Sequence, residues 1–235
     1  MKSGRKRRAI TDLTFGQRIL LLLSLFVVVV FVIGMMDPIP QDPEYHLFAD
    51  NRTLFGIPNF NDVVSNIGFA LVGVFGLLVV AGGGRGIFLD PSHARPYLVF
   101  FFGIALVSLG SAYYHWAPSN ERLFWDRLPM SMGFMAISAA VFADRIDARA
   151  GNGWLLYMLL SAGFASLVYW HWTESLGRGD LRFYALVQFY PMLALPLVIG
   201  LFPQFRYTAG RYLALVILWY CLLYTSDAAD DAMNV

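Results

Sequence analysis

Charge is scarce in this chain and cysteine is nearly absent. Only 14% of the 235 residues are Asp, Glu, Lys or Arg, well below the roughly 25% of soluble domains. The single cysteine, Cys221, excludes an internal disulfide framework and any cysteine-rich metal cluster. The formal net charge is only +1, so nucleic-acid binding has no support. What the chain does have is apolar mass: 58% hydrophobic residues, 20 of them Phe, and a positive mean hydropathy. These features predict an all-α protein whose solvent is the bilayer, a polytopic helical bundle.

Taken in order, residues 1–18 form a basic tail carrying Lys2, Arg5, Lys6, Arg7, Arg8 and Arg18. Residues 19–36 are an apolar run long enough to cross a membrane, since a crossing takes about 17–25 residues. A signal peptide is the alternative, but its apolar core is only about 7–15 residues and ends at a small-residue cleavage site, which Val27 to Met36 does not offer. Residues 37–61 are polar and acidic, with Asp37, Asp42, Glu44, His46 and Asp50 close together. That loop is open to two readings, a solvated connection or a site for a hard cation such as calcium.

Asp62 is placed to cap a helix running to Val80, with a break expected at Gly82, Gly83 and Gly84. Further apolar segments follow at about 97–116, 128–143, 154–172, 183–201 and from Tyr212 onward, giving seven expected crossings. All six tryptophans fall near segment ends, where indole rings favour the headgroup level. With a cytoplasmic N-terminus and alternating crossings, twelve Lys and Arg residues lie inside and five outside, the asymmetry expected of a correct orientation. The same assignment gathers the acidic loop, Ser65, Asn66, Ser111, His115, Asp126 and the 174–180 loop on the outer side.

The most informative stretch is GSAYYHWAPSNERLFWDRLPM, residues 110–130. Ser111 and His115 are four apart and share a helix face. Asp126 follows across a connection containing Pro118, Ser119 and Asn120 and precedes Pro129, so two helix ends are expected to meet there. His115 reads either as a zinc ligand or as an interfacial histidine bonded to a neighbour. One imidazole does not make a zinc site, and His46, His93 and His171 are poorly placed as partners. Ser111 reads as a reacting serine or as a small packing residue; a Ser-His-Asp hydrolase triad lacks the exposed nucleophile elbow. Asp126 reads as a proton acceptor for a metal-bound water, as a helix N-cap, or as an ion-pair partner of Arg122 or Arg127. The GRGDLR run, 177–182, is a polar capping loop whose charges either pair with one another or meet a lipid headgroup.

Residues 110–130 resemble the alkaline ceramidase family, whose pattern is Gly-Ser, three residues, His, ten residues, Asp and a following Pro-Met. The segment NDVVSNIGF is similar to that family's Ser-Asn pair on its first core helix, and the resemblance spans about 59–220. It implies a seven-helix membrane amidase that cleaves ceramide at a zinc held by three histidines. Carried over by position, His115 matches a zinc ligand, Ser111 the assisting serine and Asp126 the acidic partner. Asp42 and Glu44 loosely match an acidic calcium-binding loop, while Asn59 stands where the family has glutamate. The family's last helix bears an HxxxH pair, and no HxxxH occurs in this chain. Counted this way, 19–36 is an extra N-terminal helix, and 62–220 holds six of seven core helices.

CLLYTSDAAD, within 221–235, resembles a translated transposase sequencing adapter, so those residues are expected to be an artefact joined to a truncated frame. The parent is thus expected to be a zinc-dependent ceramidase-like amidase acting on a membrane lipid, with this chain inactive. The alternatives are hydrolysis of another lipid bond, or receptor-like lipid sensing without catalysis, as in the related adiponectin receptors.

Overall fold

A computed structural model describes residues 13–215 and Leu218, with the side chains of 83–85 excepted. Helices make up its regular structure, and no strand occurs among the described residues. The first, α1 (Phe15–Met35), opens with a reciprocal cap: the Gln17 amide N–H donates to the Thr14 hydroxyl, and the Gln17 side chain accepts from the Thr14 N–H. None of its residues is buried, so its apolar surface is left for lipid. It is tied antiparallel to α8 (Arg182–Leu201) at both ends. The Arg18 guanidinium donates to the Leu201 carbonyl at 2.8 Å, satisfying one of the orphan carbonyls at the end of α8. At the other end Arg182 donates to the Met36 carbonyl.

Between them lie α2 (Phe60–Ser65), α3 (Ile67–Ile87), α4 (Arg95–Trp116), α5 (Asn120–Arg145), the single turn α6 (Ala148–Gly151) and α7 (Trp154–Ser175). Two boundaries differ from those expected of the sequence. Asp62 lies in the first turn of α2 rather than at a cap, and the chain bends at Asn66, whose side-chain amide donates to the Asp62 carbonyl at 2.6 Å. The helix α3 then runs through Gly82, Gly83 and Gly84 to Ile87. In lipid the helical backbone must satisfy its own hydrogen bonds, which outweighs glycine's low helix propensity.

Among the described residues five helices are long and apolar enough to cross a membrane, beginning with Phe15–Met35 and ending with Arg182–Leu201. The helix α5, also expected from the sequence to cross, is too polar to be among them, yet at 26 residues it is about 39 Å long at 1.5 Å per residue. Its polarity is tolerated because α4, α7 and α8 all pack against it, burying Leu123, Asp126, Arg127, Ser131 and Met135 away from lipid. A further helix starts at Gly210; most of the seventh expected crossing and the adapter-like 221–235 lie outside the described residues.

The loop between α7 and α8 settles the GRGDLR run. Asp180 takes a two-pronged ion pair from Arg182, with Nε to Oδ1 at 2.9 Å and Nη2 to Oδ2 at 2.8 Å, and the Tyr169 hydroxyl donates to Oδ2 at 2.8 Å. Asp180 and Arg182 thus pair with one another, while the Arg178 side chain is exposed and makes no ion pair among the described residues. Hydrogen bonding to Arg182 holds the Asp180 carboxyl well below the usual carboxylate range, against the opposing effect of burial. A carboxyl with a lower pKa folded than unfolded contributes stability that is complete above its unfolded pKa and lost as pH falls through the folded one. Thermal melts from pH 5 down to pH 2 are therefore expected to show a drop, confined to the acid side of the unfolded carboxyl range, that is smaller in Asp180→Asn. An identical acid-side profile in the variant would contradict it.

Candidate functional site

The helices α4 and α5 approach most closely where two backbone peculiarities coincide. Pro129, inside α5, has no N–H, so the Trp125 carbonyl four residues earlier loses its helical donor. Gly110 of α4 sits directly against that carbonyl. A Cβ on Gly110 would collide with the Trp125 oxygen and lie 3.2 Å from the Asp126 Cα. Only a Cα–H fits in that space, the arrangement of a weak C–H···O contact. Two turns earlier in α4, Gly103 meets the Pro129 carbonyl and the Gly133 N–H, each 3.2 Å from where its Cβ would be. Small residues thus bring the two backbones together.

That seam delivers Ser111 to Asp126. Gly103, Val107, Ser111 and Tyr114 form the buried row of α4. The Ser111 hydroxyl lies within interaction range of the Asp126 carboxyl, yet Oδ1 of Asp126 has no hydrogen-bond partner of ordinary geometry. Asp126 is 8% exposed and forms no ion pair among the described residues. The cap reading falls as well, because α5 begins six residues earlier than Asp126, with Ser119 as its N-cap. Two helix ends do meet at the 117–119 connection, as expected, but α5 starts at Asn120 and runs on through Pro129.

His115 closes α4 one turn after Ser111. Its ring packs on Phe48 at 4.5 Å and on Tyr114 at 5.1 Å, and Nδ1 is buried without a partner. Asn59 holds this helix end by donating to the His115 carbonyl at 2.7 Å. Asn59 itself adopts the left-handed conformation, φ 45°, which asparagine tolerates better than most residues. The Asn59 amide N–H is therefore committed to the protein. One oxygen of Asp42, Oδ1, caps the turn Pro43–His46 by accepting from the Glu44 N–H at 2.9 Å. Among the described residues no three His, Cys, Asp or Glu side chains gather into a group able to hold a metal ion.

A polar network surrounds this centre that sequence reasoning did not find. His46 bonds the Tyr114 hydroxyl through Nδ1 and the Asn120 carbonyl oxygen through Nε2, both at 2.9 Å. Asn120 in turn donates to Glu174 at 3.2 Å. The acidic loop, α4, α5 and α7 are thus linked by one chain of side chains. Beside it, Arg127 is buried to 8% exposure over the rings of Trp170, Tyr184 and Tyr45, at 4.9, 5.1 and 5.4 Å, with Nη1 unpartnered. The guanidinium is held by cation–π attraction in place of an ion pair. Trp170, expected at the headgroup level, is fully buried in this cage. Trp116, Trp125, Trp154 and Trp172 are exposed near helix ends as expected.

Fold and site define a multi-pass all-α membrane protein with a buried polar centre near one end of its helices. Comparison with known proteins yields no match: no protein family, no curated protein and no solved structure is significantly similar to the chain.

Proposed function

We propose that this bundle belongs to a ceramidase-like amidase that hydrolyses the amide of ceramide or a related membrane lipid beside Asp126. The observation that supports this reading is the pair of buried, unpartnered ligand atoms, His115 Nδ1 and Asp126 Oδ1, with Ser111 against the carboxyl. An unsatisfied buried polar atom costs about 1–3 kcal/mol. Such atoms are retained where something else binds them.

Zinc is the ion that the resemblance implies. A catalytic zinc takes three protein ligands, and when bound it polarises a carbonyl and makes water acidic. The described residues fit only part of that set, one imidazole and one carboxylate, so no step is derived through the metal. Asp126 is suited to accept a proton from water and return it to the leaving amine. Ser111 orients that carboxyl with its one hydroxyl proton, which would have to turn from Asp126 to reach a developing oxyanion. The packing of His115 against Phe48 restricts its ring.

The chain as given is expected to bind zinc poorly and to turn over no ceramide. The test compares its zinc content and ceramide hydrolysis with those of a chain extended by a helix carrying HxxxH. Activity restored only by that helix supports His115 as the third ligand; equal activity in both removes it from the site. The incomplete donor set favours a second reading, lipid sensing without catalysis, which ceramide binding by the extended chain without turnover would support.

The proposed orientation places the N-terminus in the cytoplasm and Asp126 toward the exterior, supported by twelve basic residues against five. Glu121, exposed in the first turn of α5, is the position for a labelling cysteine once Cys221 is replaced. An impermeant thiol reagent is expected to label Glu121→Cys from outside intact cells. Labelling only after the cytoplasmic side is opened would reverse the assignment.

A further inference from the structure

A second polar pocket lies at the opposite end of the bundle and owes nothing to the Asp126 centre. It encloses about 350 Å³ between the starts of α4 and α7, the end of α5 and the segment that follows α8. Its frame is built around Asp144, whose carboxylate accepts the backbone N–H groups of Arg206, Tyr207 and Thr208 at 2.8–3.3 Å and the Thr208 hydroxyl at 2.6 Å. The neighbouring Arg145 is equally committed, with Nε to the Thr208 hydroxyl at 3.1 Å, Nη1 to the Phe202 carbonyl at 2.8 Å and Nη2 to the Thr208 carbonyl. Both charges of the frame are thus occupied by the protein.

Four other groups that line the pocket are not. The Tyr97 hydroxyl is buried and has no hydrogen-bond partner. Asn152 is only 4% exposed, yet its side-chain amide makes no hydrogen bond among the described residues. The guanidinium of Arg206 has no partner there either, since only its backbone is bonded. His93 bonds the Tyr207 hydroxyl through Nδ1 at 3.1 Å. That hydroxyl accepts from the Leu89 N–H at 3.0 Å and keeps its own proton for Nδ1, an arrangement in which Nε2 carries the His93 N–H. The uncommitted set is therefore one permanent cation and three further hydrogen-bonding groups, with the one carboxylate in the lining already saturated.

We propose that this pocket is a phosphate-binding site, with Arg206 supplying the permanent charge and Tyr97, Asn152 and His93 further hydrogen bonds. A guanidinium with several convergent donors matches a tetrahedral oxyanion, whose oxygens accept in several directions. In a membrane-spanning bundle, a pocket at a helix end meets two sources of that group, the headgroup of an anionic phospholipid and free phosphate. Of the two arginines in the lining, Arg145 is buried and Arg206 is exposed.

The experiment uses the full chain in phosphatidylcholine nanodiscs, titrated in one arm with phosphatidic acid and in the other with inorganic phosphate, with bound ligand read by native mass spectrometry. Arg206→Gln is expected to weaken binding about tenfold, the scale of one charge-assisted hydrogen bond. Tyr97→Phe is expected to weaken it several-fold. Without ligand, Tyr97→Phe should melt at or above the temperature of the unsubstituted chain, because it removes only an unpaired hydroxyl, so its loss of binding is not a loss of fold. Arg211→Gln lies at the same end outside the pocket and should bind normally. This pattern with phosphatidic acid alone identifies the headgroup as the source, and with inorganic phosphate as well it identifies the phosphate group by itself. Binding that is unchanged in Arg206→Gln and Tyr97→Phe, equally weakened in Arg211→Gln, or absent in both arms overturns the proposal.

Discussion

Asp126→Asn is expected to raise the thermal stability of the bundle and, in a chain carrying the complete ligand set, to remove about 100- to 10,000-fold of its hydrolytic rate. The two effects share one cause. Asp126 is buried, forms no ion pair among the described residues and leaves Oδ1 without a partner. A carboxylate so placed costs the fold the solvation it gives up, and asparagine keeps the shape while removing the charge. The gain comes from the charge alone, because asparagine keeps a polar atom at the Oδ1 position, and it should appear as a higher melting temperature. A general base, conversely, is what the amidase reading needs at that position. Detergent-solubilised thermal melts read the first effect and ceramide turnover by the extended chain reads the second. A variant less stable than the parent would mean that the carboxylate is satisfied within the fold, and full activity would remove Asp126 from the chemistry.

Gly110→Ala is expected to destabilise the bundle by about 1–3 kcal/mol, the usual cost of overpacking. The obstacle to the new methyl group is the Trp125 carbonyl, a backbone atom in the middle of α5, so no side chain can rotate away to admit it. The helices must separate at the level where Ser111 meets Asp126. Gly82→Ala is the comparison, because a Cβ on Gly82 meets nothing within 4 Å and alanine favours a helix. It should leave stability unchanged or improve it. Melts of the two variants side by side check the prediction; equal behaviour would show that α4 and α5 do not pack through Gly110.

Much of this architecture is written in local pattern. Apolar runs the length of a bilayer mark the five helices that face lipid, because there the surrounding hydrocarbon selects the side chains directly. The four-residue spacing of Ser111 and His115 likewise places them a turn apart whatever else the chain does. Polar pairing across helices has no such local mark. The start of α5 at Asn120 has no apolar mark because its first turns are polar: Leu123, Asp126 and Arg127 pack inward while Glu121 and Trp125 stay exposed, so mean hydropathy does not report which face is buried. Pro129 looked like a beginning and is an interior residue whose missing N–H makes room for a contact with Gly110.

Arg127 and Trp170 lie 43 positions apart, and only the packing of α5 on α7 turns a charge and an interfacial ring into a buried cation–π pair. His46, Asn120 and Glu174 come from a loop and two helices, and Tyr97, Asn152 and Arg206 likewise come from three separate segments. The sequence by itself determined the membrane class, the succession of helices and the turn that carries Ser111 and His115, since each depends on residues close in the chain and on the solvent they meet. Tertiary structure alone decided which polar atoms are paired and which are left buried and open, because that depends on the approach of helices distant in sequence.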